Sequence, residues 1–385
     1  MSPLTPAGLD HIIDRRNAAD CKKWRLYPED VLPMWVADMD FAVAEPILAA
    51  LRGRLAHPVF GYAQPPEALR NAIVEALARQ HNWCIQPDDL VFLPGVEPGF
   101  NMALKAMLKP GDGVVVQTPM YRPILSAPGH WGLRRIDEPL VRAGLGYAID
   151  PAGLEHALGQ ARAFLLCNPH NPIGKVFTDA ELSFIAAACE QHDVLIISDE
   201  IHCDLVYSGH RHRPIATLAP EIAERTITLM SASKTFNIAG LKTAFAIIPN
   251  AILRQRFQSS RLGMVDSVNL MGLEATRAAF ESCEAWRQAT VAYLEGNRDH
   301  LASELKRRLP AIGFRPPEAS FLAWLDCSAL ELVHEPQQFF LKKARVSFSA
   351  GADFGATGKG HVRLNFGCPR AQLDEALNRI EQALA

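Results

Sequence analysis

Short, almost wholly apolar runs recur along this chain, separated by segments of helical periodicity. LVFLPG (90–95), GVVVQTP (113–119), AFLLCNP (163–169), VLIISDE (194–200) and TITLMSAS (226–233) each have the length of a strand rather than of a helix. Between them, EALRNAIVEALARQ follows Pro65-Pro66 and places Leu69, Ile73 and Leu77 about one helical turn apart. GFNMALKAMLKPGD reads as a helix that closes near Gly111, and TDAELSFIAAACEQHD opens with Thr178 and Glu181 at capping-box spacing. Strands that are apolar throughout, not in alternation, are buried on both faces. The pattern therefore predicts an α/β fold, a mixed and mostly parallel sheet between layers of helices. After about residue 280 the rhythm changes. A long helical stretch (284–309) leads to FLAWLDC (321–327), a helix-like QQFFLKKA, the strand HVRLNFG (361–367) and a final helix from Arg370. The expected organisation is a large unit over 46–280 and a smaller α+β unit made from 1–45 and 281–385.

Charge and cysteine usage narrow the function. The 385 residues carry a net charge of -3, so nothing points to nucleic acid or an anionic membrane surface. No apolar stretch approaches the roughly 20 residues of a membrane span. The opening MSPLTPAGLDHIID lacks the basic patch and apolar run of a secretory leader, and none of the eight cysteines forms a CxxC pair. A cytoplasmic protein in a reducing compartment is expected. No G-x-G-x-x-G follows a first strand, which argues against a nicotinamide site. His202, Cys203, His210 and His212 match no zinc-binding spacing, so no metal is expected there.

In open α/β sheets, ligands sit beyond the carboxyl ends of the strands. Those ends here carry Gly95-Val96-Glu97, Pro119-Met120-Tyr121, the segment from Asn168 through Asn171 to Gly174, Asp199 to His202, and Ser231 to Lys234. Ordinary turn chemistry explains any one of these clusters; five at five strand ends point to a site. Lys234 directly follows an apolar strand. It is either a surface lysine on a buried stem or a Schiff-base lysine. Asp199 closes one of the most apolar runs. It either caps a loop or pairs with a buried cation such as a pyridinium nitrogen.

NPHNPIG, SDEIH and SASKTFNIAGLK, in that order and spacing, resemble the fold-type I pyridoxal-phosphate enzymes of the class I/II aminotransferase superfamily, over essentially the whole chain from about Leu32. The resemblance implies that Lys234 holds the cofactor and, once freed, is the general base. It implies that Asp199 pairs with the ring nitrogen, Asn171 bonds the ring hydroxyl and Tyr121 stacks on the ring. Gly95, Val96, Ser231, Ser233 and Lys242 would surround the phosphate, with Lys242 standing where many relatives have arginine. His202 stands where many have tyrosine near the ring hydroxyl. Arg363 looks like the clamp for the substrate carboxylate. Tyr62 resembles a tyrosine that reaches the phosphate of a neighbouring subunit, which implies a homodimer with sites at the interface.

LPMWVADMDF, PGVEPGF, SDEIHCDLVY, SFLAWLD and VRLNFGCPR further resemble the MalY/PatB-type carbon–sulfur β-lyases, often called cystathionine β-lyase-like. This places Ala37 and Asp38 near a small amino-acid substrate, with Pro123, Ile124 and Trp35 as candidates for its side-chain pocket. The implied reaction expels a thiol from Cβ of a cysteine S-conjugate and ends in pyruvate and ammonia. A transaminase would use the same residues. A non-catalytic regulator on the same fold is disfavoured by the intact Lys234, Asp199 and Arg363.

Overall fold

The computed structural model describes residues 6–17 and 21–385. Among them the five apolar runs and two further strands form one sheet from β1 (Leu90–Leu93), β2 (Gly113–Thr118), β3 (Arg134–Pro139), β4 (Ala163–Cys167), β5 (Leu195–Asp199), β6 (Thr226–Met230) and β7 (Ala244–Ile247), in the order β1-β7-β6-β5-β4-β2-β3. The pairings from β6 through β5, β4 and β2 to β3 are parallel, while β7 lies antiparallel between β6 and β1. Side chains alternate between two cores. Val114, Val116, Leu165 and Ile197 enter one, and Val115, Phe164, Leu166 and Ile196 the other. That two-sided burial is why these strands are apolar throughout.

The helices expected at 67–80 and 178–193 form α1 (Glu67–His81) and α3 (Asp179–Gln191), and between them lies α2 (Val96–Met107). Leu69, Ile73 and Leu77 are buried. Thr178 Oγ1 accepts from the Glu181 backbone N–H at 3.2 Å while Glu181 Oε2 accepts from that of Thr178 at 2.9 Å, a complete capping box. Two strands lack a clear sequence signal. β3 is a largely exposed edge of charged residues, and β7 has only four residues. QQFFLKKA is not one α-helix: an α-helical turn (Pro336–Phe339) runs into a π-helical turn (Phe340–Ala344).

Near the carboxyl terminus β8 (Gly313–Phe314), β9 (Leu322–Asp326), β10 (Ser349–Ala350) and β11 (His361–Asn365) form an antiparallel sheet in the order β8-β9-β11-β10. The amino-terminal segment docks on this region. Leu32–Pro33 pairs with Val346–Ser347, and Met34, Met39 and Phe41 share a core with Leu364, Phe366 and Leu377. Buried Lys23 reaches Asp40 at 2.7 Å. Asn365 Nδ2 donates to the carbonyls of Val36 and Asp38 at 2.6 and 2.7 Å, and Asn237 Nδ2 to those of Met39 and Phe41 at 3.0 and 2.9 Å. Residues 36–41 are thereby clamped between β11 and the segment that follows Lys234. Among the described residues no helix is long and apolar enough to cross a membrane.

One glycine is required by a close approach beside the strand ends. On α4 (Leu270–Ser282), a Cβ at Gly272 would overlap Thr243 Oγ1 and the Leu241 carbonyl. Gly272→Ala should cost about 1–3 kcal/mol, because the overlap outweighs the gain in helix propensity. The check is the melting temperature of the cofactor-free protein; an unchanged or higher value would contradict the packing described.

Candidate active site

Strand register brings the site together. Cys167 pairs with Asp199, and Asp199 with Leu229, so β4, β5 and β6 end level with one another. Beyond these ends opens a cavity of about 390 Å³. Gly95, Val96, Tyr121, Asn171, Asp199, His202, Ser233, Lys234, Lys242 and Ala37, all singled out in the sequence, line it. Ser231, Asp38, Arg363 and Tyr62 do not.

Asp199 is buried at the end of β5. Its Oδ1 accepts from the Ile201 N–H at 3.1 Å, and it makes no ion pair among the described residues. Burial pushes its pKa up to about 7, against the opposing pull of that N–H and of Lys234. Lys234 sits in the short helical turn Ala232–Thr235, and its Nζ donates to the Ala37 carbonyl at 2.6 Å. Burial, reinforced by Arg363, pushes its pKa down to about 8. A carboxylate short of a cation and an amine held partly neutral therefore face one cavity. A pyridinium bearing an aldehyde would satisfy both groups, so pyridoxal phosphate fits the residues present.

The remaining lining suits the rest of such a cofactor. The first turn of α2 opens on the cavity at Gly95 and Val96, a favourable end for a phosphate. Lys242, in the left-handed backbone region at φ 52°, adds an ammonium. Tyr121 donates its hydroxyl to Glu97 Oε1 at 2.5 Å. Burial, then Glu97, raises its pKa, so the phenol stays protonated. His202 packs edge-on against Phe321, and its Nδ1 has no partner. Burial, then Lys234 and Arg363, hold its pKa down to about 3, leaving a neutral imidazole.

Arg363 lies on β11 just outside this lining. Nη1 donates to Asn171 Oδ1 at 3.0 Å, and Nη2 to the Trp35 carbonyl and Ser349 Oγ at 3.1 and 3.2 Å. The guanidinium lies over the Phe354 ring at 4.9 Å, and its buried Nε has no partner. A buried guanidinium bonded only to neutral acceptors is a receptor in need of an anion.

Several residues expected at the site have other partners in this structure. Ser231 Oγ donates to the Thr243 carbonyl at 2.7 Å and accepts from the Ser233 N–H at 3.0 Å, so its proton is not free for a phosphate. Asp38 pairs with Arg15 at 2.7 Å yet lies near enough to Lys234 to oppose the fall in its pKa, and the neighbouring Ala37 carbonyl accepts from Lys234 directly. Ile124 is buried in a sheet core and Trp35 Nε1 is turned to the Lys23 carbonyl; neither they nor Pro123 line the cavity. Tyr62, expected at the phosphate of a neighbouring subunit and not at this chain's own cavity, is 97% exposed. Cys167, Thr243 and Glu97 line the cavity without having been assigned roles. Glu97 lay in a strand-end cluster, but only its contact with Tyr121, 24 residues away, shows its place.

Comparison with known proteins places this geometry. The family model for aminotransferase class I and II matches residues 30–380. "Cystathionine beta-lyase PatB" of Bacillus subtilis is 39% identical over 92% of this chain and 93% of its own length. The crystal structure of OvoB superposes with a TM-score of 0.93 at 43% identity, covering 98% of both chains. The PLP-bound C–S lyase of Staphylococcus hominis superposes at 0.92 with 32% identity, again over 98% of both.

The environment of Lys234 predicts its reactivity. In the cofactor-free protein, labelling of Lys234 by an amine-directed acylating reagent, read by peptide mass spectrometry, should reach half its maximal rate near pH 8, not near the 10.5 of a free lysine. A midpoint near 10 would contradict the burial described.

Proposed function

The chain belongs to the class I and II aminotransferase family, and from that premise we propose that it is a PLP-dependent carbon–sulfur β-lyase acting on cysteine S-conjugates to give a thiol, pyruvate and ammonia. The observation that carries the reading is the pairing of cation-less Asp199 and partly neutral Lys234 across one cavity, one residue contact from the buried Arg363. The names of PatB and of the Staphylococcus hominis enzyme favour elimination over amino transfer.

When bound, pyridoxal phosphate supplies the electron sink for the pair left at Cα. The chain's residues do the rest. Arg363 takes the substrate carboxylate in a two-pronged grip, which its buried, partnerless Nε invites, and so fixes the direction of the Cα–H bond. Lys234 Nζ removes that proton, a task suited to an amine whose pKa lies near 8. Asp199, buried in the cavity wall, would pair with the cofactor's ring nitrogen. Asn171, held by Arg363 at Oδ1, would bond the cofactor's ring hydroxyl beside the substrate carboxylate receptor. The Gly95–Val96 end of α2, Ser233 and Lys242 would hold the cofactor's phosphate, and neutral His202 would serve its ring hydroxyl.

The same reading makes the enzyme a cytoplasmic homodimer, with 46–280 as the cofactor-binding unit and 1–45 plus 281–385 as the smaller one. Exposed Val59, Phe60 and Tyr62 form an apolar stretch that a second copy would cover, bringing Tyr62 to the neighbour's phosphate. The eight cysteines are free, as in a reducing compartment.

Incubation with S-alkyl cysteines and cystathionine should release pyruvate and ammonia in equal amounts, with the matching thiol, and Lys234→Ala should abolish the release. A keto acid retaining the sulfur side chain, formed only when a second keto acid is added, would instead indicate a transaminase. Tyr62→Phe should weaken cofactor binding about tenfold or more, the loss of one hydrogen bond to a charged group, while sedimentation still reports a dimer. Unchanged cofactor affinity would remove Tyr62 from the site.

A further inference from the structure

Behind the active-site wall lies a second cluster that the proposed reaction does not use. His81 ends α1, and Cys203 and Asp204 follow His202 in the turn after β5. His81 Nε2, Cys203 Sγ and a carboxylate oxygen of Asp204 lie within 4.8 Å of one another, and all three residues are buried. Asp204 Oδ1 is 3.7 Å from His81 Nε2 and accepts a long hydrogen bond from Cys203 Sγ at 3.7 Å. A nitrogen–oxygen separation of 3.7 Å is too long for a hydrogen bond, and His81 Nε2 has no hydrogen-bond partner although its side chain is only 6% exposed. The three atoms converge as ligands do, at separations that need to close by a few tenths of an ångström or more to hold an ion. Around a tetrahedral ion with bonds of about 2.0 Å to nitrogen and oxygen and 2.3 Å to sulfur, ligand atoms stand roughly 3.3–3.6 Å apart.

We propose that His81, Cys203 and Asp204 form a binding site for a zinc-class divalent cation, with the fourth position open to solvent. Imidazole, thiolate and carboxylate together suit a borderline-soft d-block ion and not calcium or magnesium, which take oxygen ligands. Binding displaces the Cys203 thiol proton to solvent and takes the lone pair of His81 Nε2. Access is provided by an adjoining cavity of about 410 Å³ whose walls include these three residues with Arg79, Gln80 and His210. The outer contacts are those of a held ligand set. Thr235 Oγ1 donates to Asp204 Oδ2 at 3.1 Å, and Arg287 Nη1 to the Asp204 carbonyl at 2.9 Å, with the charge of Arg287 compensated by Glu284 at 2.5 Å. Cys203 is next to His202, and Thr235 is next to Lys234. The cation would therefore brace, from behind, the two segments that carry these active-site side chains.

The test uses holoenzyme freed of adventitious metal by dialysis against a chelator. Calorimetric titration with Zn²⁺ should show one equivalent bound per chain. Co²⁺ in its place should give the intense red-visible d–d bands of a tetrahedral site. His81→Gln and Cys203→Ser, each with an unaltered circular dichroism spectrum, should weaken Zn²⁺ binding about tenfold to a hundredfold, the loss expected for a weakened ligand set. Absence of uptake by the unmodified protein would overturn the proposal and leave only a buried His81–Asp204 contact at 3.7 Å. So would uptake that both variants retain in full.

Discussion

A carboxylate buried at the end of an apolar strand, with no ion pair among the described residues, is the constraint on which the rest of this structure depends. Asp199 costs folding energy wherever it stands unpaired, and burial already draws its pKa to about 7. Such a group is tolerable when the fold reserves space for a positive partner. The cavity beyond β4, β5 and β6 is that space, and the level ends of those strands follow from the register of a parallel sheet. Burial works in the opposite sense on Lys234, holding it nearer neutrality. One environment thus prepares an acid that seeks a cation and an amine that can act as a nucleophile and a base.

The second requirement is met from the two ends of the chain. Arg363 comes from the carboxyl-terminal sheet and the Ala37 carbonyl from the amino-terminal segment, yet both contact site groups on the large sheet. Asn365 and Asn237 secure this arrangement by bonding backbone carbonyls of residues 36–41 from opposite sides. Movement of that segment would change the surroundings of Lys234 and Arg363 together, because Arg363 donates to the Trp35 carbonyl and Lys234 to that of Ala37. The substrate-carboxylate receptor and the proton-transferring amine are thereby parts of one hydrogen-bonded frame.

Much of this was legible in the residues because the governing physics is local. A strand buried on both faces must be apolar along its whole length, so β2, β4, β5 and β6 announced themselves, and the capping box at Thr178 marked its helix. The polar residues directly after those strands could only lie at the carboxyl edge of the sheet, which is why Asn171, Asp199 and Lys234 were found. What the residues did not show depended on side-chain direction. Ser231 and Asp38 lie beside the cavity in sequence, but one spends its proton on Thr243 and the other turns to Arg15. β3, an exposed edge, had no need of apolar residues. The grouping of His81 with Cys203 and Asp204 joins positions more than 120 residues apart, and no local pattern encodes it.

The account stands most directly on the charge of Asp199. Asp199→Asn keeps the shape and the Ile201 hydrogen bond of this side chain but removes its negative charge. The measurement is pyruvate release from a cysteine S-conjugate by the cofactor-loaded variant, with cofactor content determined on the same sample. The account predicts that the cofactor is retained and that turnover falls about a hundredfold or more, the scale of losing one preorganised electrostatic contact. Turnover close to that of the unmodified enzyme at full cofactor content would contradict it.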